Sequence, residues 1–487
     1  MSLVKSFRNV LAGLAAGAVA VVSPATHAQG ISLLRDAEIE NFLDDYSRPI
    51  FKAANLNPDS IEILLVNDQT LNAFAGGRYM GVNTGLLTIA DTPNQIEAVI
   101  AHEAGHLAGG HTARTQDAIS AATRPMLLSL VLAAGAIAAG APEAGIGLLG
   151  LGQTVGTANF LKYSRGQEST ADQLSITYLD KLGKSSKGAL ELWTKARNEQ
   201  ILRNRAINPY RVTHPLANER LTALRERAEA SPHFNKSDSP EEIERLRMIQ
   251  AKIKGFVQEE RITLRQYPLA DQSDAARYAR AVAYYRSSQI DKAQSEINTL
   301  IALYPDNPYF HELAGQMLFE HGMVAASVAP HRRSVELDPD EALFRINLGR
   351  ALVALEEPAS YNEAIAELRN ALLLEPNSSF AWFELARAHG GLGENAMADL
   401  ATAESRYHAG AKGEANLFAR RAMTGLKKGT PEWRQAIDIV KASQPEKGQV
   451  VPLPTGIEEE TGDPAEPGPE TPGTQDVPDP ELKIEQL

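Results

Sequence analysis

The feature of this sequence that most restricts its fold is a regular period in the C-terminal half. Pro305 and Pro339 lie 34 residues apart, and Pro376 follows 37 residues later. Small residues recur ahead of these prolines at Ala281, Gly315 and Gly349, and Ala386 continues the series after Pro376. A period of this length predicts stacked helix–turn–helix units that contact only their neighbours, rather than one large globular core.

Units of 34 residues with small residues at the helix contacts and a proline at the exit are tetratricopeptide repeats. We therefore assign residues 266–443 to an α-solenoid of such repeats, with a fourth unit starting at Trp382 and capping or degenerate helices after Ala398. The first helices of the units are expected to build a concave face that binds protein partners. Four residues of this face are Tyr284, His311, Arg345 and Trp382.

The N-terminus resembles a secretory signal peptide. Lys5 and Arg8 precede the apolar stretch Val10–Val22, and small residues around Ala28 provide a cleavage site. We expect residues 1–28 to be removed, and a Gram-negative source would place the mature protein in the periplasm. The alternative, an uncleaved membrane anchor, needs a longer apolar run.

The charge of the chain argues against one class of partner and is concentrated in its tail. The formal net charge is −13, which disfavours nucleic acid because phosphate binding needs clustered Lys and Arg. Much of the negative charge lies in residues 444–487, a Pro-rich segment with few large apolar residues that we expect to be disordered. The chain has no cysteine, so disulfides and thiolate metal sites are excluded.

The motif His102-Glu103-Ala104-Gly105-His106 lies in an apolar run that predicts a helix. A spacing of four residues places both imidazoles on one helix face, about 6 Å apart along the axis, where they can bind one Zn²⁺. Zinc lowers the pKa of a bound water toward about 7, and Glu103 can take the proton of that water as general base. The motif therefore predicts a zinc peptidase with one metal ion per subunit.

A catalytic zinc ion needs a third protein ligand and an open position for water. Glu168 and Asp172 are again four residues apart on a predicted helix, and we expect Glu168 to bind the metal and Asp172 to orient a ligating His. The sequence after His106 lacks a His-x-x-Gly-x-x-His continuation, which favours a carboxylate as the third ligand. His111, which follows Gly109-Gly110, is interpreted as capping or solvated.

We assign residues 29–265 to an α+β protease domain with a helical connector. Together with the α-solenoid, this domain makes the predicted fold class mainly α. The sequence between residues 61 and 82 predicts short strands around a Gly-Gly turn. The segment at Asn72, Ala73 and Phe74 is expected to form an edge strand beside the zinc, which can add an extended substrate strand. The alternative is a plain two-stranded ribbon.

Residues 126–161 carry only one charged residue, Glu143, and are rich in Ala, Gly and Leu. Their halves are short, which favours a pair of buried helices that cover the catalytic centre. The alternative is a hairpin in peripheral contact with a membrane.

Together these motifs resemble the M48 peptidases, from about Leu33 to Leu224. The resemblance also includes the segments Gly81-Val82-Asn83-Thr84-Gly85-Leu86 and His214-Pro215. It implies a zinc metalloendopeptidase with the same base and the same ligands, His102, His106 and Glu168. It further implies that His214 can occupy the water site of the zinc as a regulatory ligand, and that Arg220 can stabilise an oxyanion.

The resemblance also implies partners. M48 peptidases that carry an export signal and tetratricopeptide repeats degrade stalled outer-membrane β-barrel proteins and promote the assembly of others. Their repeats work with the barrel assembly machinery. The alternative function is a chaperone or scaffold with structural zinc and little intrinsic proteolysis. The presence of Glu103 favours the enzyme, because a scaffold does not need that carboxylate.

Overall fold

The computed structural model describes residues 32–111, 114, 123, 126–133, 142–202, 214, 218–443 and 483–486. Over these residues the chain is mainly helical, with one small sheet and a C-terminal solenoid of helices, which confirms the predicted fold class. The predicted signal peptide, most of the His-Pro loop and the tail over residues 444–482 lie outside the described residues.

The sheet lies in the N-terminal half of the chain and is completed by the C-terminus. Its strands are β1 Ser32–Arg35, β2 Glu62–Val66, β3 Ala73–Gly76, β4 Tyr79–Asn83 and β5 Lys483–Gln486. The strand order is β3-β4-β2-β1-β5, with β3–β4 and β1–β2 antiparallel and β2–β4 and β1–β5 parallel. Gly77 makes the β3–β4 turn with a φ of 60°, a conformation that glycine adopts without strain. Strand β3 is thus an edge of the sheet in the described part of the chain.

The end of the acidic tail differs from the prediction of disorder over residues 444–487. Lys483–Gln486 extends the sheet, because each of its residues pairs in parallel with a residue of β1. Composition predicts whether a segment can build its own core, but it carries no information about pairing with a distant strand.

Helices pack around the sheet in the protease half. They are α1 Ala37–Ala53, α2 Thr84–Ile89, α3 Pro93–Ala108, α4 Pro142–Lys181, α5 Lys187–Leu202, α6 Asn218–Glu229, α7 Pro240–Val257 and α8 Glu260–Gln266. Helix α3 begins where the sequence predicts, with Pro93 in the first turn, where the missing N–H has no helical partner to lose. Asp36 caps α1 by accepting a hydrogen bond from the backbone N–H of Ile39 at 2.9 Å.

Stacked helix pairs form the C-terminal half, as the period predicts. The pairs are α9 Asp274–Arg286 with α10 Ile290–Leu303, α11 Pro308–Glu320 with α12 Val324–Leu337, α13 Ala342–Val353 with α14 Pro358–Leu374, α15 Ser379–Gly391 with α16 Asn395–His408, and α17 Lys412–Gly425 with α18 Pro431–Ala442. A Cβ on Gly315 would lie 2.7 Å from the His331 ring, and one on Gly349 would lie 2.6 Å from Leu368. The small residues of the period are therefore the points where paired helices touch.

The four residues predicted to face partners make contacts within the solenoid itself. His311, Arg345 and Trp382 each hydrogen-bond the carbonyl oxygen of the proline six residues earlier, at 2.8–2.9 Å. Tyr284 is buried. The first three side chains thus fix the loops between units, a role that the sequence analysis did not assign to them.

The protease half and the repeats share one hydrophobic core, which runs from Leu34 in β1 to Met317 in α11. The domain boundary predicted after residue 265 stays a prediction, and the core is continuous across it. The end of β1 and the start of α1 also contact the repeats directly. Arg35 pairs with Glu375 of α14's C-terminal end at 2.7 Å, and Asn41 donates to Glu341 at 3.0 Å.

A buried group of charges lies under this contact. Lys252 of α7 approaches Asp36 at 2.6 Å and Glu38 at 3.2 Å, and the hydroxyl of Tyr278 donates to Glu38 at 2.6 Å. Glu312 of α11 is buried close by, and the Lys252 charge acts on its carboxyl. We call these five residues the junction.

The helical stretch 126–133 does not match the predicted pair of buried helices. Six large apolar side chains of this stretch are exposed, with Val131 at 69% and Leu128 at 62% of their full accessibility. Leu151 and Val155 of α4 are exposed as well. No helix in the described ranges is long and apolar enough to span a membrane.

Candidate metal centre

Helix α3 is buried from Pro93 to His106, so its two histidines lie in the protein interior. Their Nε2 atoms point to the same place and are 3.1 Å apart. Gly105, between them, allows α4 to come close. A Cβ at this position would lie 3.0 Å from the backbone of Ala171. The small residue in the motif thus brings the carboxylate-bearing face of α4 against the two imidazoles.

Glu168 of α4 faces both histidines of α3. Its Oε2 lies 3.4 Å from His102 Nε2, and its Oε1 lies 3.3 Å from His106 Nε2. The carboxylate is buried. The structure therefore brings together the three residues that the sequence proposes as metal ligands.

His214 joins the same cluster from the His-Pro loop. Its Nδ1 lies 3.1 Å from Glu168 Oε1 and 3.4 Å from His102 Nε2. Its Nε2 lies 3.3 Å from Oε1 of Glu103, an atom that has no hydrogen bond within the described residues. His214 thus stands between the three candidate ligands and the candidate base.

Two further residues hold the cluster from behind. Asp172 Oδ1 lies 3.0 Å from His102 Nδ1, on the side of the ring away from the other imidazoles. Arg220 donates to both carboxylates, with Nη1 2.7 Å from Glu168 Oε2 and Nη2 2.9 Å from Asp172 Oδ1. The oxyanion contact that we predict for Arg220 stays a prediction, whereas the contacts observed here are with these carboxylates.

The contacts shift the pKa values of the buried groups. Burial opposes ionisation of Glu168, but hydrogen bonds from the three histidines hold its pKa well below the usual value. Burial is likewise outweighed at Asp172, whose pKa is lowered by Arg220 and His102. Burial would lower the pKa of His102, yet Asp172 and Glu168 raise it to about 9. A proton and a metal ion therefore compete for the same electron-rich pocket.

The cluster fits a divalent metal ion. His102, His106, Glu168 and His214 offer ligand atoms that all lie within 4.8 Å of one another. Three imidazoles and one carboxylate, buried together, are a donor set that suits Zn²⁺ and other divalent transition metals. The chemistry of the donors therefore indicates a metal centre without selecting the metal.

Comparison with known proteins decides the family. Residues 34–228, which contain the whole cluster, match peptidase family M48. This segment is an M48 peptidase domain. Together with the relatives below, the domain makes the protein a metalloendopeptidase, as predicted from the sequence.

The chain as a whole is similar to proteases named for barrel assembly. The Beta-barrel assembly-enhancing protease of Yersinia pestis is 26% identical over 364 residues, 73% of each chain. That of Escherichia coli K12 is 25% identical over 410 residues, 82% of this chain and 81% of the other. Metalloprotease YcaL of Escherichia coli K12 is 30% identical over 174 residues, 36% of this chain and 63% of the other. The crystal structure of MamA is 20% identical, with a TM-score of 0.27 over 34% of this chain and 91% of that one.

The predicted substrate segment of the M48 domain occupies an edge of the sheet. Ala73 and Phe74 belong to β3, and Asn72 precedes it with its carbonyl accepting from the backbone N–H of Asn83 at 3.1 Å. The ring of Phe74 covers Gly81, where a Cβ would lie 2.2 Å from it. Strand β3 packs beside α3, the helix of the metal motif. Substrate binding at this edge stays a prediction.

Two residues beside the metal cluster of the M48 domain were not predicted from the sequence. His111, interpreted as capping or solvated, is buried, and its Nδ1 lies 2.9 Å from His106 Nδ1. Trp193 of α5 is buried with its ring edge-on to His102, at 5.7 Å between centroids. The glycine pair before His111 signals a turn that can return the chain to α3, whereas no local signal links Trp193 to the site.

Proposed function

We propose that this metalloendopeptidase uses Zn²⁺ to hydrolyse misfolded or stalled outer-membrane β-barrel proteins in the periplasm. The convergence of His102, His106 and Glu168 on one buried point supports the metal site. The names of the similar proteases support the substrate class, and the predicted signal peptide supports the compartment. The 34-residue repeats support a second activity, assistance of barrel assembly as a chaperone.

Each site residue has a proposed role. His102, His106 and Glu168 would hold the zinc ion, which when bound would lower the pKa of water toward about 7 and polarise a peptide carbonyl. Glu103 accepts a proton at Oε1 from the attacking water and delivers it to the leaving amine nitrogen. Asp172 keeps the His102 ring in place, and Arg220 keeps both carboxylates ionised and fixed.

His214 is proposed as the switch of the centre. Its Nδ1 lies as close to Glu168 as the ligand imidazoles do, which supports a role as a further ligand that would take the position of the attacking water. Its Nε2 faces Glu103 and would also prevent that carboxylate from accepting a proton from water. Release of the loop by a partner would open the site, a local change with a functional readout.

The mechanism is tested by Glu103→Gln in the full mature chain. Because Glu103 is proposed as base and not as ligand, the variant keeps about one zinc per chain by metal analysis. It loses casein cleavage by about 10²–10⁴-fold. His214→Ala in the same assay should raise casein cleavage and self-cleavage with zinc retained.

The same assay separates the enzyme from the alternative, a chaperone or scaffold with little proteolysis. Wild-type and His214→Ala chains that hold zinc but leave casein intact would favour the scaffold. Activity that survives Glu103→Gln would contradict the proposed base. A His214→Ala chain that is less active than wild type would make His214 a catalytic helper instead of a switch.

The repeats are proposed to bind the barrel assembly machinery. Their length, five helix pairs outside the metal cluster, supports a binding surface separate from the site. The proposal predicts that crosslinkers placed on the exposed residues Phe383 and Leu373 capture assembly components from cells. Capture from Arg78 of the protease half alone would contradict it.

The exposed apolar stretch 126–133 is proposed to make peripheral membrane contact. Its apolar side chains point outward in several directions around the helix, more than one protein groove covers, and a lipid phase accepts all of them. Full-length protein should float with vesicles of phosphatidylethanolamine and phosphatidylglycerol, and the double change Leu128→Asp, Val131→Asp should abolish flotation. Leu373→Asp, at an exposed leucine of the repeats, is the control. Equal flotation of all three proteins would refute the contact.

A further inference from the structure

Two consecutive glycines end helix α3 and turn the chain back on itself. Gly110 has a φ of 60°, and its backbone N–H donates to the carbonyl of Leu107 at 3.0 Å. A Cβ on Gly109 would lie only 2.4 Å from the imidazole of His111. The turn therefore needs glycine at position 110 for its backbone and at position 109 for space, and its effect is to lay His111 against its own helix.

The folded-back ring meets one ligand histidine at a defined atom. His111 Nδ1 lies 2.9 Å from His106 Nδ1, and the two rings are edge-on, with centroids 4.9 Å apart. The other nitrogen of His106, Nε2, faces His102 and Glu168. The two nitrogens of His106 thus have separate neighbours, a metal position on one side and His111 on the other.

The chemistry of a ligand imidazole fixes the direction of this hydrogen bond. A neutral histidine that binds a metal through Nε2 carries its proton on Nδ1. Nδ1 of His106 then donates, and Nδ1 of His111 accepts. His111 must be neutral and protonated on Nε2 to play this part.

The comparison with the other ligand histidine shows what is particular here. His102 places its Nδ1 3.0 Å from the carboxylate of Asp172, whereas His106 has an imidazole in the equivalent position. Gln167, the neighbour of Glu168, donates to the backbone carbonyl of His111 at 3.2 Å. The turn that carries His111 is thereby tied to the helix that carries the third ligand.

We propose that His111 is the positioning residue of His106, which fixes the ring and the tautomer of that ligand as a neutral acceptor. This inference rests on the proposed metal site. A residue that only fills space at this position would affect folding, and an acceptor would affect the affinity for metal. These two effects can be measured separately.

The test compares His111→Leu, which removes the acceptor, with His111→Asn, whose Oδ1 stands about as far along the side chain as Nδ1 of His. Both are made in the full-length Glu103→Gln chain, so that self-cleavage cannot interfere, with His408→Leu in the repeats as control. Zinc affinity is measured by competition with a chromophoric chelator, and the metal-free proteins are melted in parallel. His111→Leu should weaken zinc binding about 10–100-fold, and His111→Asn should recover most of it.

Each outcome has a distinct meaning. Equal zinc affinity of the His111→Leu and parent chains overturns the inference, as does a His111→Asn variant that is as weak as His111→Leu. A parent chain that binds no zinc refutes the proposed function instead. If His111→Leu does not fold, His111→Asp decides the matter, because an anionic acceptor should hold zinc at least as tightly as the parent chain does, and weaker binding by this folded variant overturns the proposal.

Discussion

The metal centre and the junction both bury carboxyl groups, yet the two places shift the pKa values in opposite directions. Hydrogen bonds from imidazoles and from Arg220 outweigh burial at Glu168 and Asp172, so both pKa values are lowered. Burial prevails at the junction, where it raises the pKa of Glu38 and raises that of Glu312 to about 8. Burial alone therefore does not decide the state of a carboxyl group, because the hydrogen bonds and the charges around the group also shift its pKa.

The difference indicates which of the two regions is suited to bind a metal ion. Carboxylates that stay ionised in the interior keep negative charge available, which a metal ion requires of its ligands. The junction instead surrounds Lys252 with more carboxyl groups than one ammonium group can neutralise, and burial raises the pKa values of Glu38 and Glu312. The first region is built for binding, and the second joins two parts of the chain.

The largest effect is expected when a ligand of the metal centre is removed. His106→Ala should lose the bound metal, and casein cleavage by His106→Ala in a His214→Ala background should fall by about 10²-fold or more, because the remaining donors no longer complete the site. Metal analysis and cleavage assays on the same preparation check both expectations. Lys252→Met should keep its metal, and loss of zinc from this junction variant would break the comparison.

The next effect concerns Arg220, which contacts both carboxylates. Arg220→Met leaves Glu168 and Asp172 with fewer donors and should lower the free energy of unfolding by about 3–5 kcal/mol. The two carboxylates have lowered pKa values, so their contribution is complete above the ordinary values of 4.5 and 3.8 and is lost only as the pH falls through the native pKa values. Denaturant unfolding from pH 6 to pH 9 should thus show a constant loss. Arg220→Lys, which keeps the charge, is the control and should lose less.

The junction should respond differently when its cation is removed. Lys252→Met leaves Glu38 without its ammonium partner, but a carboxyl group with a raised pKa can take up a proton. The loss should therefore be about 1–3 kcal/mol near pH 6 and should grow as the pH rises. A loss that is equally large at pH 6 and pH 9 would show that the junction behaves as the metal centre does.

The smallest effect should come from Glu312→Gln. Glu312 has a pKa of about 8 in the folded protein against an ordinary value of 4.5, so the folded state holds its proton more tightly and wild-type stability falls as the pH rises between these values. The amide needs no proton and still accepts from Asn347. The variant should match wild type near pH 5 and be more stable by about 1–2 kcal/mol at pH 9. Glu336→Gln, on the exposed side of the repeats, should show no such trend in thermal unfolding.

Sequence patterns predicted those parts of the structure that depend on the local spacing of residues. The 34-residue period predicted the helix pairs, and the spacing of four residues predicted that each of α3 and α4 presents two site residues on one face. These predictions need only the geometry of a helix. The pairing of α3 with α4 also left a local trace, since Gly105 is small where Ala171 touches it.

The remaining features depend on neighbours that are distant in sequence. The apolar composition of residues 126–133 favoured burial. Their large apolar side chains are exposed because too few of the described parts of the chain pack against them, which composition does not reveal. The strand at Lys483–Gln486 exists through β1, and the charge of Lys252 is buried because Asp36 and Glu38 arrive from the other end of the protease half. His111 is an intermediate case, because the two glycines predict a turn but not the side chain on which the turn closes.

The contact of β1 and α1 with the repeats has a consequence for the order in which the chain can fold. Arg35 finds Glu375 340 positions later, and Asn41 finds Glu341 300 positions later. A polypeptide that is made or transported from its N-terminus presents α1 long before these partners exist. Strand β1 and helix α1 therefore lack these neighbours until the chain has been made or transported as far as Glu341 and Glu375. A nascent protease whose parts join this late cannot assume its finished shape before the repeats that accompany it are also present.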